Sequence, residues 1–137
     1  MKANELMIGD WVTGKKWREN PFKLSRINDN GKYYYGITSD GTQVGPFLFE
    51  EIEPIPLTEE ILEKNCFICN IHNIYELSVD TDTFNNLISY QPNYGGIYIC
   101  KETSEGDFLS EIQLKLQYVH ELQNAMHLFK IEKEIVL

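Results

Sequence analysis

The sequence has few cysteines, a shortage of positive charge and no long apolar run. Three cysteines in 137 residues do not make a disulfide framework. Twelve Lys and Arg against twenty-one Asp and Glu leave a net charge of -9, which repels nucleic-acid phosphates and anionic membrane surfaces. The longest uncharged stretch, residues 83–100, is interrupted by Asn, Gln, Pro and Gly, so no membrane span is predicted. With no apolar signal segment near the first residues, we expect a soluble cytoplasmic protein with reduced thiols.

The first part of the chain is typical of short strands joined by tight turns. Apolar and β-branched residues recur within 8–13, 22–27 and 33–39. Asn30-Gly31 and Asp40-Gly41 follow two of these runs and supply the positive φ angles that hairpins need. Pro54 and Pro56 mark the exit from this part of the chain. These signals predict an SH3-like small β-barrel over residues 1–56.

The rest of the chain mixes strand and helix patterns. Thr58 caps a predicted short helix that ends near Asn65. Alternating apolar residues predict strands at 74–80, 87–91, 97–101 and 109–116, and a helical period begins after Leu116. We therefore predict the α+β fold class. Residues 57–137 form an α+β part with an antiparallel sheet and a closing helix, sharing a core with the barrel.

Three stretches carry a resemblance to a known family. They are MKANEL with IGDWV at 1–12, IPLTEEIL at 55–62 and YVHELQN at 118–124. They resemble a family of small uncharacterised proteins of gut anaerobic bacteria, their phages and mobile elements. The resemblance spans most of the chain, although residues 130–135 depart from the usual family ending. It implies an intracellular accessory protein and brings no established activity.

The sharpest chemical pattern is a group of three thiols and an imidazole. Cys66, Cys69, His72 and Cys100 have the composition of a Cys₃His zinc site. Between the first two cysteines, however, Phe67 and Ile68 favour extended backbone, in which residues three apart point to opposite faces. We therefore expect the cysteines to lie in the core and to bind no metal.

Catalytic motifs are not found in the sequence. His120-Glu121 begins like the H-E-x-x-H motif of zinc hydrolases, but Asn124 stands at the second ligand position. No glycine-rich phosphate loop and no nucleophile elbow is present, so no catalytic residue and no cofactor is predicted. An enzyme stays open as a third hypothesis, because catalytic groups can assemble from distant segments.

Two surfaces are candidates for binding. The first is the polar face of the closing helix, which lies opposite its apolar stripe and is expected to be either a solvated surface or a recognition face: His120, Gln123, Asn124 and His127. The second gathers cations near aromatic rings in the first part of the chain: Lys15, Lys16, Trp17, Arg18, Lys23 and Arg26.

Our preferred hypothesis is a non-catalytic binding module that contacts a protein partner through the barrel loops or through the first surface, on the closing helix. The second leads to the alternative, single-stranded nucleic acid, because rings stack on bases and cations follow phosphates. Most aromatic rings of a small barrel are nevertheless expected inside it, and the net charge of -9 opposes binding to nucleic acid. The sequence does not identify the partner or the oligomeric state.

Overall fold

The computed structural model describes residues 5–80, 84–103 and 105–137, without the side chains of 17–19, 84 and 108–110. The chain divides into two compact units. One contains Met1–Pro56 and Tyr118–Glu121, and the other contains Leu57–Gln117 and Leu122–Leu137. The described residues form two five-stranded antiparallel sheets and two α-helices, which confirms the α+β class. Within these residues, neither helix combines the length and the apolar character needed to cross a bilayer.

The first unit is built on an antiparallel meander. Its strands are β1 (Trp11–Gly14), β2 (Trp17–Asn28), β3 (Tyr33–Thr38), β4 (Gln43–Leu48) and β5 (Ile52–Pro54). Their order in the sheet is β4-β3-β2-β1-β5, and a 3₁₀ turn at Phe49–Glu51 separates β4 from β5. Sequence signals predicted the first three strands but not β4 or β5.

The turns of this meander follow the predicted chemistry. Asp29, Asn30 and Gly31 all have positive φ between β2 and β3, which closes the hairpin of these two strands. Gly41, with φ +87, closes the next hairpin, where its N–H donates to the Thr38 carbonyl at 3.0 Å. The local sequence therefore determines both hairpins.

One face of the first sheet carries the core of the unit. Its members are fully or almost fully buried: Leu6, Val12, Phe22, Leu24, Tyr34, Val44 and Ile52. The rings of Phe22 and Phe47 stack with centroids 5.0 Å apart. A Cβ atom at Gly36 would lie 2.1 Å from Phe22 Cδ2, so close packing excludes any side chain at that position.

The second unit contains the other meander. Its strands are β6 (Ile68–Cys69), β7 (Tyr75–Asp80), β8 (Phe84–Gln91), β9 (Gly96–Thr103) and β10 (Phe108–Lys115), in the order β10-β9-β8-β7-β6. A 3₁₀ turn at Pro92–Tyr94 joins β8 to β9, between the strands predicted at 87–91 and 97–101. The predicted alternation is confirmed on β7, where Tyr75 and Leu77 are buried and Ser78 is exposed.

The pairing register gives the two faces of this sheet opposite characters. An apolar row crosses four strands on the inner face: Leu77, Ile88, Ile99 and Ile112. A polar row lies beside it on the outer face: Glu76, Ser89, Tyr98 and Gln113. The inner face therefore supplies the core of the unit.

Helix α1 (Glu59–Lys64) begins and ends with defined caps. The Thr58 hydroxyl accepts a hydrogen bond from the Ile61 N–H at 3.3 Å, as predicted. At the other end, the Cys66 N–H donates to the Glu63 carbonyl and the Phe67 N–H donates to the Leu62 carbonyl, each at 3.0 Å. These two bonds, with Cys66 at φ +66, form a Schellman motif in which a cysteine occupies the usual glycine position.

Helix α2 (Val119–Leu128) is followed by a tail without regular structure. The first turn of α2 is stabilised by the Glu121 carboxylate, which accepts from the Tyr118 N–H at 3.1 Å. In the tail, Ile131 and Ile135 are buried. The Asn65 side chain binds the tail at Val136, where Nδ2 donates to the carbonyl at 2.7 Å and Oδ1 accepts from the N–H at 2.8 Å. The tail is therefore part of the folded second unit.

Candidate functional site

The residues of the predicted polar face of the closing helix differ in their exposure to solvent. His120 is fully buried, Gln123 and Asn124 are half-buried, and His127 is exposed. The expectation that these four side chains share a solvent-facing surface is therefore corrected. Tertiary structure is the reason: helical periodicity separates apolar from polar positions, but it cannot show how much of a helix its neighbours enclose.

His120 lies in the part of the helix that belongs to the first unit. The Val119 N–H donates to the Ile55 carbonyl at 2.9 Å, and the His120 ring stacks on Tyr118 with centroids 5.8 Å apart. Neither ring nitrogen has a hydrogen-bond partner among the described residues.

The surroundings of His120 determine its charge state. Burial lowers the pKa of His120 because it disfavours the imidazolium, while the carboxylates of Glu121 and Glu5 partly oppose the shift. At neutral pH the ring is an uncharged part of the core, and it is not accessible to a binding partner.

The predicted cationic stretch separates into two groups. Lys15 and Lys16 are exposed in the turn between β1 and β2. The side chains of Trp17 and Arg18 lie outside the described part of the chain. Lys23 and Arg26 instead lie on β2, and the sheet pairs them with aromatic or apolar neighbours.

Three cation–aromatic pairs occur among the side chains of the first unit that the structure describes. The Arg26 guanidinium lies 4.0 Å from the Tyr35 ring centroid, and these two residues are directly opposite each other on β2 and β3. The Lys23 ammonium lies 5.2 Å from the Trp11 ring, and the Lys32 ammonium lies 5.1 Å from the Tyr33 ring. All three distances are within the range of favourable cation–π interaction. Trp11 is buried, so we call the other five residues, Lys23, Arg26, Lys32, Tyr33 and Tyr35, the cation–aromatic surface.

Strand alternation explains why the rings of Tyr33 and Tyr35 face outward. On β3 the buried residues are Tyr34 and Gly36, whereas Tyr33 and Tyr35 are half-buried on the other face. The period-2 pattern of β3 contains the signal that separates the two surface tyrosines from the core tyrosine.

The four candidate zinc ligands do not converge. Cys66 and Cys69 are exposed, which corrects the expectation that they lie in the core, whereas Cys100 is buried. Cys69 lies on β6 and Cys100 on β9, with two strands between them, so about 14 Å separates their positions across the sheet. Among the residues described, no three His, Cys, Asp or Glu side chains form a group that can hold a metal ion.

The exposed positions of Cys66 and Cys69 have a local cause. Cys66 occupies the left-handed position of the Schellman motif, which projects from the end of α1. Cys69 lies on the two-residue edge strand β6, and both residues of that strand are exposed. The end of α1 has no glycine, so the sequence did not indicate a Schellman motif at Cys66.

Comparison with known proteins gives no independent indication of function. Protein-family models, curated proteins and solved structures yield no match to this chain. The cation–aromatic surface is consequently the site whose own geometry best supports a functional proposal. This surface is suited to binding, because it offers cationic hydrogen-bond donors and flat apolar rings.

Proposed function

We propose that the protein is a non-catalytic binding module that recognises an acidic segment of a protein partner. Its cation–aromatic surface makes the contact, and its N-terminal unit is an SH3-like small barrel. The order β4-β3-β2-β1-β5 supports the barrel, because β1 pairs with both β2 and β5 in a meander that returns to its first strand. The 3₁₀ turn that separates β4 from β5 also fits this architecture.

The single observation that carries the proposed function is the pair of Arg26 and Tyr35. Arg26 is exposed and Tyr35 is half-buried, and 4.0 Å separates the guanidinium from the ring centroid. A guanidinium stacked on a ring keeps its edge N–H groups available for a bidentate carboxylate contact. Arginine and tyrosine are also enriched at interface positions that contribute most to affinity.

The charge distribution supports a local acidic contact despite the net charge of -9. Residues 1–30 carry six basic and four acidic side chains, so this segment is positive. At physiological ionic strength, charges more than about 8 Å apart are largely screened, and the nearest charges then dominate the contact. An acidic peptide segment therefore meets cations at the cation–aromatic surface.

Affinity capture with matched variants tests this proposal. We expect Arg26→Glu to lose partners that the unchanged protein retains, because it replaces the cation with a repelling carboxylate. A loss of at least about 2 kcal/mol, or roughly thirtyfold in affinity, is typical of an interface hot spot. Lys133→Glu is the matched control, because it makes the same charge change in the other unit. Identical captured proteins for all three chains, with Arg26→Glu still folded, overturn the proposal.

A second candidate function is the binding of single-stranded nucleic acid. The specific observation that favours it is the pair of rings at Tyr33 and Tyr35, two residues apart on one face of β3 and near cations. Such rings stack on bases in single-strand binding proteins. A gel-shift at low salt distinguishes the two candidates, because nucleic-acid binding weakens steeply with salt. Salt-sensitive binding that Lys15→Glu with Lys16→Glu abolishes favours nucleic acid over protein.

We place this activity in the cytoplasm, as an accessory protein like those of the phages and mobile elements that the sequence resembles. The two exposed thiols, Cys66 and Cys69, support a reducing compartment, because exposed free thiols are prone to oxidation elsewhere.

A further inference from the structure

A pocket lies on the second unit, where one end of β8, β9 and β10 meets the turn at Pro92–Tyr94. Its volume is about 510 Å³, which is within the usual range for small-molecule sites. Six of the described residues line it: Gln91, Tyr94, Gly96, Gln113, Leu114 and Lys115.

The pairing register creates this pocket. Gly96 on β9 pairs with Gln91 on β8 and with Lys115 on β10, so the three residues form one row across the sheet. Gly96 has no side chain, which leaves a hollow between its two neighbours. A Cβ atom placed at Gly96 meets no heavy atom within 4 Å, so the hollow is open space.

The polar groups around the hollow are available to a ligand. The side chains of Gln91, Tyr94, Gln113 and Lys115 make no hydrogen bond or ion pair with any residue that the structure describes. Two other polar side chains of this face are paired with each other. The Tyr98 hydroxyl donates to the Glu111 carboxylate at 2.7 Å, and this bond, with partial burial, raises the pKa of Tyr98.

The electrostatics of the pocket contrast with those of its unit. The second unit has twelve Asp and Glu against five Lys. Among the described residues, the pocket lining contains no carboxylate and one ammonium, that of Lys115. A cation without acidic neighbours in the lining of a pocket favours an anionic ligand, and a single ammonium matches a single negative charge.

The remaining lining residues indicate the rest of the ligand. The carboxamides of Gln91 and Gln113 each donate and accept hydrogen bonds, as vicinal hydroxyl groups do. Tyr94 is 77% exposed and presents a ring on which a flat face of C–H groups can pack. Proteins usually hold phosphate with several cationic or backbone N–H donors. This pocket offers two neutral carboxamides and one lysine, so its lining does not match a phosphate site. We infer that this pocket binds a sugar carboxylate of the hexuronate type.

The test is a titration of the full chain followed by ¹⁵N–¹H NMR, with D-glucuronate as the probe and D-glucose as its uncharged counterpart. We expect saturable shifts of the Gly95, Gly96 and Leu116 amides with D-glucuronate, and weaker binding of D-glucose. Lys115→Gln should lower the affinity for D-glucuronate about tenfold, because it removes a charge-assisted hydrogen bond. It should leave the weak binding of D-glucose unchanged.

Gly96→Val is the decisive variant, because it fills the hollow with a residue that favours strands. The space at Gly96 accepts a Cβ atom, so we expect a folded protein that no longer binds D-glucuronate. Ser89→Val, on the outer face of β8, is the matched control and should bind normally. Lys133→Gln controls for the loss of one positive charge.

Three results overturn the inference. The first is the absence of a saturable shift with D-glucuronate. The second is unchanged binding by a folded Gly96→Val variant. The third is equal affinity for acetate, which shows that the carboxylate binds without any contribution from the hydroxyl groups or the tyrosine ring.

Discussion

Replacement of Asn65 is expected to release the tail of the second unit from the end of helix α1. Asn65 is 2% exposed, and its side chain makes three hydrogen bonds. Nδ2 donates to the carbonyls of Ile61 and Val136, each at 2.7 Å, and Oδ1 accepts from the Val136 N–H at 2.8 Å. All the hydrogen atoms of the amide are therefore used.

The magnitude follows from these three bonds. A hydrogen bond contributes about 1 kcal/mol net, so Asn65→Ala should reduce the free energy of unfolding by about 3 kcal/mol. Asn65→Asp should cost more at pH 7, because it places a buried carboxylate against two carbonyl oxygens. Protonation turns one carboxylate oxygen into a donor, so Asn65→Asp should recover part of its loss at about pH 5.

Chemical denaturation at pH 7 and pH 5 measures these effects, with amide exchange of Val136 as a local probe. Asn93→Ala is the control, since Asn93 is exposed, and it should change the free energy of unfolding by under about 0.5 kcal/mol. If Asn65→Asp unfolds at the same denaturant concentration as the unchanged protein at pH 7, the tail contributes nothing to stability and the reasoning is refuted.

Two further predictions concern helix α2. Because burial lowers the pKa of His120, the unfolded chain binds its proton more tightly than the folded chain. The free energy of unfolding should therefore decrease as the pH falls below about 6.5. In denaturation curves, His120→Phe should lose less of this free energy between pH 7 and pH 5 than the unchanged protein. Equal losses for the two proteins contradict the buried neutral imidazole. Leu122 is 1% exposed, so Leu122→Ala should cost about 2 to 5 kcal/mol, whereas His127→Ala on an exposed position should cost under about 0.5 kcal/mol. Thermal denaturation compares the last two variants, and a larger effect of His127→Ala contradicts the observed orientation of the helix.

Local signals in the sequence predicted much of the secondary structure. The Thr58 cap located the start of α1, because its hydroxyl and the helix that follows are adjacent in the chain. Alternation located β7, and the turn dipeptides at Asn30-Gly31 and Asp40-Gly41 located two hairpins. In each case the residues that give the signal are themselves the residues that form the cap, strand or turn.

Features that depend on distant residues were not predictable in the same way. The burial of His120 depends on what encloses the first turn of α2, which its polar neighbours in sequence do not show. The pocket depends on the register that places Gly96 between Gln91 and Lys115, and a one-residue slip would move each of these side chains to the other face. The pairs of Arg26 with Tyr35 and Lys23 with Trp11 likewise need the strand register.

The assignment of Tyr118–Glu121 to the first unit has a consequence for synthesis on the ribosome. The five strands of the first sheet emerge as one continuous run, but the Ile55 carbonyl meets its donor, the Val119 N–H, only when a further 60 or so residues have been translated. At about 5 to 20 residues per second, this delay is roughly 3 to 13 s. The hydrogen bond between Asn65 and Val136 is delayed slightly longer, because more residues separate these two positions. Nascent chains therefore pass through a period in which both units are incomplete, and binding by chaperones is favoured during it.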